Sequence, residues 1–198
     1  EGSSGWAAAA ERHQRGTLVD WAVVANGFRR AGDWTFSGAA GATSRPEFLY
    51  RSSFEGELAR RLVGTLVLHG GYRHLDFPTV RVGIVQPAVS LYFPRGELQV
   101  RAFMVRNLTL DRHSRAALLR GQVAVHPRVT IAGGAAIGNR IFDVAALSTP
   151  DAEGWVGFGF ARFTLSPGWR LDVGYGRAHE DPFFSQQTMS IAVRRTFQ

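Results

Sequence analysis

From Leu18 onward, apolar residues recur at every second position, in stretches separated by clusters of Gly, Pro, Asp and Asn. In an extended chain successive side chains point to opposite sides. Leu98, Val100, Ala102 and Met104 therefore share one face, and Glu97, Gln99, Arg101, Phe103 and Asn107 share the other. The same split separates Val85, Pro87, Val89, Leu91 and Phe93 from Gln86, Ser90 and Tyr92. It separates Trp169, Leu171, Val173 and Tyr175 from Arg170, Asp172 and Gly174, and Met189, Ile191, Val193 and Phe197 from Ser190, Arg194 and Thr196. No helical template fits these runs.

The periodicity predicts strands over 18–29, 33–44, 48–61, 65–75, 80–93, 97–107, 114–126, 129–142, 154–165, 169–178 and 187–197. Connections alternate between tight turns, such as Phe93-Pro-Arg-Gly96 and His126-Pro-Arg128, and longer segments, such as 108–113 and 143–153. Short turns on one rim and long loops on the other are the pattern of an outer-membrane barrel. Such barrels carry an even number of strands, so an eleven-strand reading implies a twelfth, placed in Gly5–Arg15 with Trp6. The expected fold is all-β: a closed antiparallel up-and-down transmembrane β-barrel of 12 strands, with 10 as the alternative. Residues 1–15 are read as a tail or short first strand, and residues 16–198 as one barrel domain.

A soluble sandwich or lipocalin-like barrel would alternate too. The choice rests on the character of the two faces. One face carries Leu, Val and Ile with aromatics toward strand ends, and the other carries Arg, Gln and Gly. Trp21, Trp34, Phe93, Trp155, Phe163, Trp169, Tyr175 and Phe197 suit the aromatic girdles of a membrane interface. Every apolar run is too short for a membrane-spanning helix, which needs about 20 residues. The first residues lack the basic and apolar regions of a signal peptide, so the expectation is a mature chain in the bacterial outer membrane with its signal removed.

Charge points to the lumen. The net charge is +7 with no Lys, and the arginines are spread along the chain rather than gathered in a tail, which speaks against nucleic acid as a partner. By alternation Arg51, Arg101, Arg120, Arg140, Arg162, Arg170 and Arg194 point inward, with Asp20, Glu55, Glu57, Glu97 and Asp172 as potential partners. If these charges pair across strands they plug the barrel; if guanidinium groups stay unpaired they focus positive potential along a pore. Arg29, Arg30, Arg60, Arg61, Arg95 and Arg128 gather at the tight-turn rim, where reaching lipid phosphates is favoured over docking a periplasmic partner.

Enzyme chemistry has one foothold, at the long-loop rim: His74 with Asp76, Asp111 with His113 and Ser114, and His179 with Glu180 and Asp181. No nucleophile motif surrounds Ser114, and adjacent residues of an extended loop seldom converge on one ion. The chain is therefore read as non-enzymatic, without cofactor or metal.

The stretch Gly71-Tyr-Arg-His-Leu-Asp-Phe77, then Gln86-Pro-Ala-Val-Ser-Leu-Tyr-Phe93, the strand ending in His126-Pro-Arg128, Gly174-Tyr-Gly176 and Val193-Arg-Arg-Thr-Phe197 together resemble YaiO-type outer-membrane β-barrel proteins. The motifs are short, and the resemblance runs from Gly71 to Phe197. It implies a barrel distantly akin to the exporting barrel of cellulose-secretion subunits, and it carries no catalytic residues. The last strand also resembles the C-terminal signal read by the outer-membrane assembly machinery, departing from it at Arg195 and at Gln198 after the aromatic. Expected partners are outer-membrane lipids and lipopolysaccharide, the assembly machinery, and an envelope protein. The leading functional expectation is an accessory barrel that anchors or plugs an envelope assembly. The alternatives are a narrow anion-preferring or polysaccharide-export conduit and, behind it, an enzyme with an extracellular-rim site.

Overall fold

The computed structural model describes residues 2–15, 17–47, 49–139, 153–180 and 184–195. Twelve strands follow one another: β1 (Ser4–Arg15), β2 (Leu18–Ala31), β3 (Trp34–Ser44), β4 (Ser52–Val63), β5 (Leu66–Asp76) and β6 (Arg81–Phe93), then β7 (Gly96–Asn107), β8 (Arg112–His126), β9 (Val129–Asn139), β10 (Glu153–Ser166), β11 (Trp169–Glu180) and β12 (Phe184–Arg195). Each pairs antiparallel with the next in one up-and-down sheet. The segment read as a tail or short first strand is a full strand of 12 residues, registered to β2 from Ser4↔Arg29 to Arg15↔Leu18.

Two boundaries among the described residues differ from the periodicity by three residues or more. β4 begins at Ser52 rather than residue 48, because the connection is drawn off the sheet: Asp20 on β2 accepts the backbone N–H groups of Glu47 and Leu49 at 2.8–3.2 Å. β12 begins at Phe184, three residues before the predicted start, its pairing extended by Glu180↔Phe184. Residues 140–142, predicted to end the ninth strand, lie outside the described residues.

Turn chemistry explains one rim. Gly32, Gly64 and Gly168 take φ of 58°, 53° and 84°, the left-handed conformation that short hairpin turns require and that glycine adopts without steric cost. Register shifts at Arg61/Val63, Ala124/His126 and Thr164/Ser166 all fall beside such turns, where an extra residue lets a strand bend into its hairpin.

The sheet curls strongly. A cavity of about 560 Å³ is lined together by Asn26 and Phe28 of β2 and Leu118 and Arg120 of β8. Those strands are six spacings apart, about 29 Å in a flat sheet. The enclosed face holds the buried residues, among them Asp20, Ala22, Ala59, Gln86, Ser90, Gln99 and Asn107. The opposite face is exposed and apolar: Phe54, Leu58, Val85, Val89, Val100, Leu119, Ile131 and Val193 all stand on it. This is the inverse of a soluble sandwich, which buries its apolar faces.

Closure is where expectation and structure part. Among the described residues β1 and β12 share no hydrogen-bonded register and form the two edges of the sheet. Their side chains are correspondingly bare: Trp6 is 85% exposed and Met189 82%. Ala7 to Ala10 give β1 little to pack across a seam, and cross-strand side-chain pairs are what stabilise strand pairing.

Candidate functional site

The enclosed face is organised around Glu57 on β4. Arg101 Nη2 on β7 donates to its Oε2 at 2.6 Å, across the two intervening strands, and His69 Nδ1 on β5 meets its Oε1 at 3.0 Å. Arg101 Nη1 donates onward to Gln86 Oε1 on β6 at 3.1 Å. His69 Nε2 lies 2.9 Å from Ser90 Oγ, which accepts a bond from Gln99 Nε2 at 2.8 Å. The carboxylate only accepts, so His69 carries a proton on Nδ1. The curl of the sheet makes this network, since a flat sheet would hold β4 and β7 about 14 Å apart.

Serine, histidine and carboxylate in hydrogen-bonded sequence are also the parts of a hydrolase site. Here the serine is fully buried, its oxygen is occupied by Gln99, and it lines none of the cavities on this face. The chain of bonds fastens four strands to one another.

Other acids on this face are also matched. Glu55 lies 3.7 Å from Arg73 Nε, Asp172 receives Arg162 at 2.8 and 3.4 Å from its register partner position, and Asp20 holds the two backbone amides described above. The arginines outnumber them. Arg30, Arg61, Arg120 and Arg170 stand in the same register set, and none has an ion-pair or hydrogen-bond partner for its side chain among the described residues. Arg30 and Arg61 border a cavity of about 520 Å³ with Tyr92 and His69, and Arg95 and Arg162 border one of about 310 Å³ with Glu97 and Gln122. The surplus positive charge lies toward the tight-turn end.

At the long-loop end the same face turns apolar. Leu75, Val80, Val82 and Ile84 form a buried cluster packed by Tyr50, Phe77, Phe103 and Val105. It narrows the enclosed space beside β5–β7, a feature that sequence alternation hid because it assigned that face to polar groups.

The register places Arg101, Arg120, Arg162, Arg170, Glu55, Glu57 and Asp172 on the enclosed face, and pairs Arg194 with Arg170, its side chain lying outside the described residues. Arg51 is corrected: it precedes β4 at the long-loop rim, and its Nη2 donates to the Pro78 carbonyl at 3.3 Å. Arg140 lies outside the described residues. Arg30 and Arg61 are corrected from lipid-reaching rim residues to the enclosed face; each directly follows an arginine, and neighbours on a strand cannot share a face. His69 and Arg73 were missed, although both keep the parity of Val67 and Leu75.

On the exposed face stand Trp34, Phe93, Phe163 and Trp169 toward the tight-turn rim, and Trp21 and Trp155 toward the loops. Arg60 lies over Trp34 at 4.9 Å from the ring centroid. Tyr175 shares this face but sits in the middle of β11, opposite Gly159 and Met189, and not at a strand end. Phe197 lies outside the described residues. Of the rim groups, Asp111 and His113 meet at 3.9 Å, but His113 and Ser114 point to opposite faces, His179 lies against Trp155 with ring centroids 6.4 Å apart, and Asp181 is outside the described residues. The described residues contain no group of three metal-ligating side chains.

No family model matches the chain, and no curated protein matches it. Solved structures do. The NanC porin superposes with a TM-score of 0.61 at 8% identity over 99% of both chains. The KdgM porin in complex with disordered oligogalacturonate superposes at 0.58 with 7% identity over the whole of both chains. A BenF-like porin from Pseudomonas fluorescens gives 0.54 at 12% identity, over 93% of this chain and 70% of its own. The chain has the fold of outer-membrane porins.

Proposed function

We propose that this chain is a bacterial outer-membrane β-barrel that conducts small anionic solutes, with acidic oligosaccharides as the favoured class. The observation that carries this reading is the charge balance of the enclosed face. Glu55, Glu57 and Asp172 are ion-paired there, whereas Arg30, Arg61, Arg120 and Arg170 have no ion pair among the described residues, so the face carries a fixed positive surplus. Low-dielectric walls focus such a field and concentrate anions. The exposed apolar face supports a lipid surrounding, because a sheet with this inversion has no stable place in water. The bound oligogalacturonate of the KdgM porin, a chain of carboxylated sugars, supports the solute class.

In this reading β1 and β12 zip together in the bilayer, where an open strand edge leaves backbone groups without partners. Long loops face outside and tight turns the periplasm. The motifs between Gly71 and Phe197 support a place among YaiO-type barrels. A plugged accessory barrel is the second reading, favoured by the Glu57–Arg101–His69–Ser90 network that crosses the enclosed space.

Single-channel recording of the purified protein in a planar bilayer under a salt gradient tests the choice. Steady steps with a reversal potential on the anion side are expected, with selectivity reduced in Arg120→Glu and Arg170→Glu. Silence from protein that shows the heat-modifiable gel migration of a folded barrel refutes conduction and leaves the plug.

A further inference from the structure

Two phenyl rings stand on the enclosed face and line its cavity of about 560 Å³: Phe28 from β2 and Phe103 from β7. Phe28 is 48% exposed although it points inward. Its register partner on β1 is Gly5, where a β-carbon would come within 2.7 Å of the ring's Cε1. The ring therefore lies against bare backbone on one side and presents the rest of its surface to the cavity. Asn26 and Ser37 line the same cavity, and neither side chain has a hydrogen bond within the protein among the described residues. Arg120 borders it from β8 without an ion pair among the described residues, whereas Arg101 beside it is held by Glu57 at 2.6 Å.

An aromatic face, open amide and hydroxyl groups and a cation in one cavity are complementary to an amphipathic ring that carries a negative charge. A phenyl face bears negative potential and attracts the C–H groups that crowd one side of a pyranose ring. The hydroxyls at the edge of such a ring need donors and acceptors; Asn26 supplies both, and Ser37 adds a hydroxyl. A carboxylate meets a guanidinium through charge-assisted bonds. The volume lies within the about 300–1,000 Å³ usual for small-molecule sites. Resting on the conduction reading above, we propose that Phe28, Asn26, Ser37 and Arg120 form a subsite inside the lumen for one unit of a carboxylated oligosaccharide. The ring stacks on Phe28, its hydroxyls meet Asn26 and Ser37, and a carboxylate of the same or the next unit meets Arg120. A diffuse positive potential attracts any anion, but this site discriminates among them. An inorganic anion gains nothing from Phe28, and an aromatic acid without hydroxyls gains nothing from Asn26 and Ser37.

The test uses the full chain folded in detergent micelles, its folding shown by heat-modifiable gel migration. Titration calorimetry with trigalacturonate reads the site, and planar-bilayer recording of the same preparations reads conduction separately. Trigalacturonate should bind once per chain, and maltotriose, a neutral oligosaccharide of the same length, about tenfold more weakly. Arg120→Gln should weaken trigalacturonate about tenfold, the size of one charge-assisted bond, and leave maltotriose unchanged, so that the discrimination disappears. Phe28→Leu, which keeps an apolar side chain but removes the aromatic face, should weaken both sugars about fivefold. Phe36→Leu, a phenyl on the opposite face of β3, should bind as the parent does. No binding by the folded parent, unchanged binding in Arg120→Gln or Phe28→Leu, or displacement of trigalacturonate by benzoate at lower concentration than by galacturonate overturns the proposal. Conduction without binding overturns only this site. Binding with silent bilayers overturns the conduction reading and leaves the site as a pocket in a plugged barrel.

Discussion

Leu119 and Arg120 are neighbours on β8, and the membrane reading assigns them opposite surroundings. Leu119 stands on the exposed face between Val100 and Ala135 in register, 49% exposed, at the centre of a 15-residue strand. Seven residues separate it from either end, about 24 Å along the strand and about 18 Å in height at the usual tilt. The apolar band of such a barrel is about 25 Å tall, so an interface lies about 12 Å away, beyond the reach of an arginine side chain. Leu119→Arg should therefore carry the midplane penalty of about 2–4 kcal/mol. Val125→Arg, on the same face one residue from the strand end, should cost about 0–1 kcal/mol because its guanidinium reaches the headgroups. Gln122→Arg enters the enclosed face beside Glu97 and should be nearly neutral. Urea unfolding of protein folded into lipid vesicles, followed by tryptophan fluorescence, reads all three. A cost for Leu119→Arg no larger than about 0.5 kcal/mol, the ordinary value for a water-exposed position, would refute the facing assignment and the lipid surrounding together.

Truncating Arg101→Met leaves Glu57 enclosed with His69 as its remaining donor, and about 2–3 kcal/mol of stability should be lost in the same assay. Adding Glu57→Gln should restore more than half of it, since the stranded charge is then gone; additive losses would mean that the two groups are not coupled. At the long-loop rim, hydrogen bonds from Arg106 hold the Asp111 carboxyl below its ordinary value. A lowered folded-state value means that the pairing contributes above the ordinary carboxylate range and is lost as pH falls through the folded value. Carboxyl carbon shifts should titrate at a lower midpoint in the parent than in Arg106→Gln, and identical midpoints would count against the pairing.

The period of two in the sequence determines most of the fold. Once Leu98, Val100 and Leu119 share a face, Arg101 and Arg120 must share the other, because the chain has only two sides in a strand. Eleven of the strands, the turn positions and the face of each charged residue within a strand follow from local geometry, as Arg162 opposite Asp172 illustrates, whereas the twelfth followed from the even strand number of such barrels. Where the chain leaves the strand, that logic ends. Arg51 kept the parity of Glu55 and Glu57 but lies at the rim, because the 45–51 connection is held off the sheet by Asp20 from β2.

What the tertiary structure alone decided is which charges are neutralised. Arg101 and Glu57 are 44 residues apart on strands that do not pair with one another, and only the curl of the sheet brings them to 2.6 Å. The same curl leaves Arg120, on β8, facing the cavity with no ion-pair partner among the described residues. Alternation records on which side a side chain lies, a property of consecutive residues. Pairing depends on the curvature of the whole sheet, which no short stretch of sequence contains.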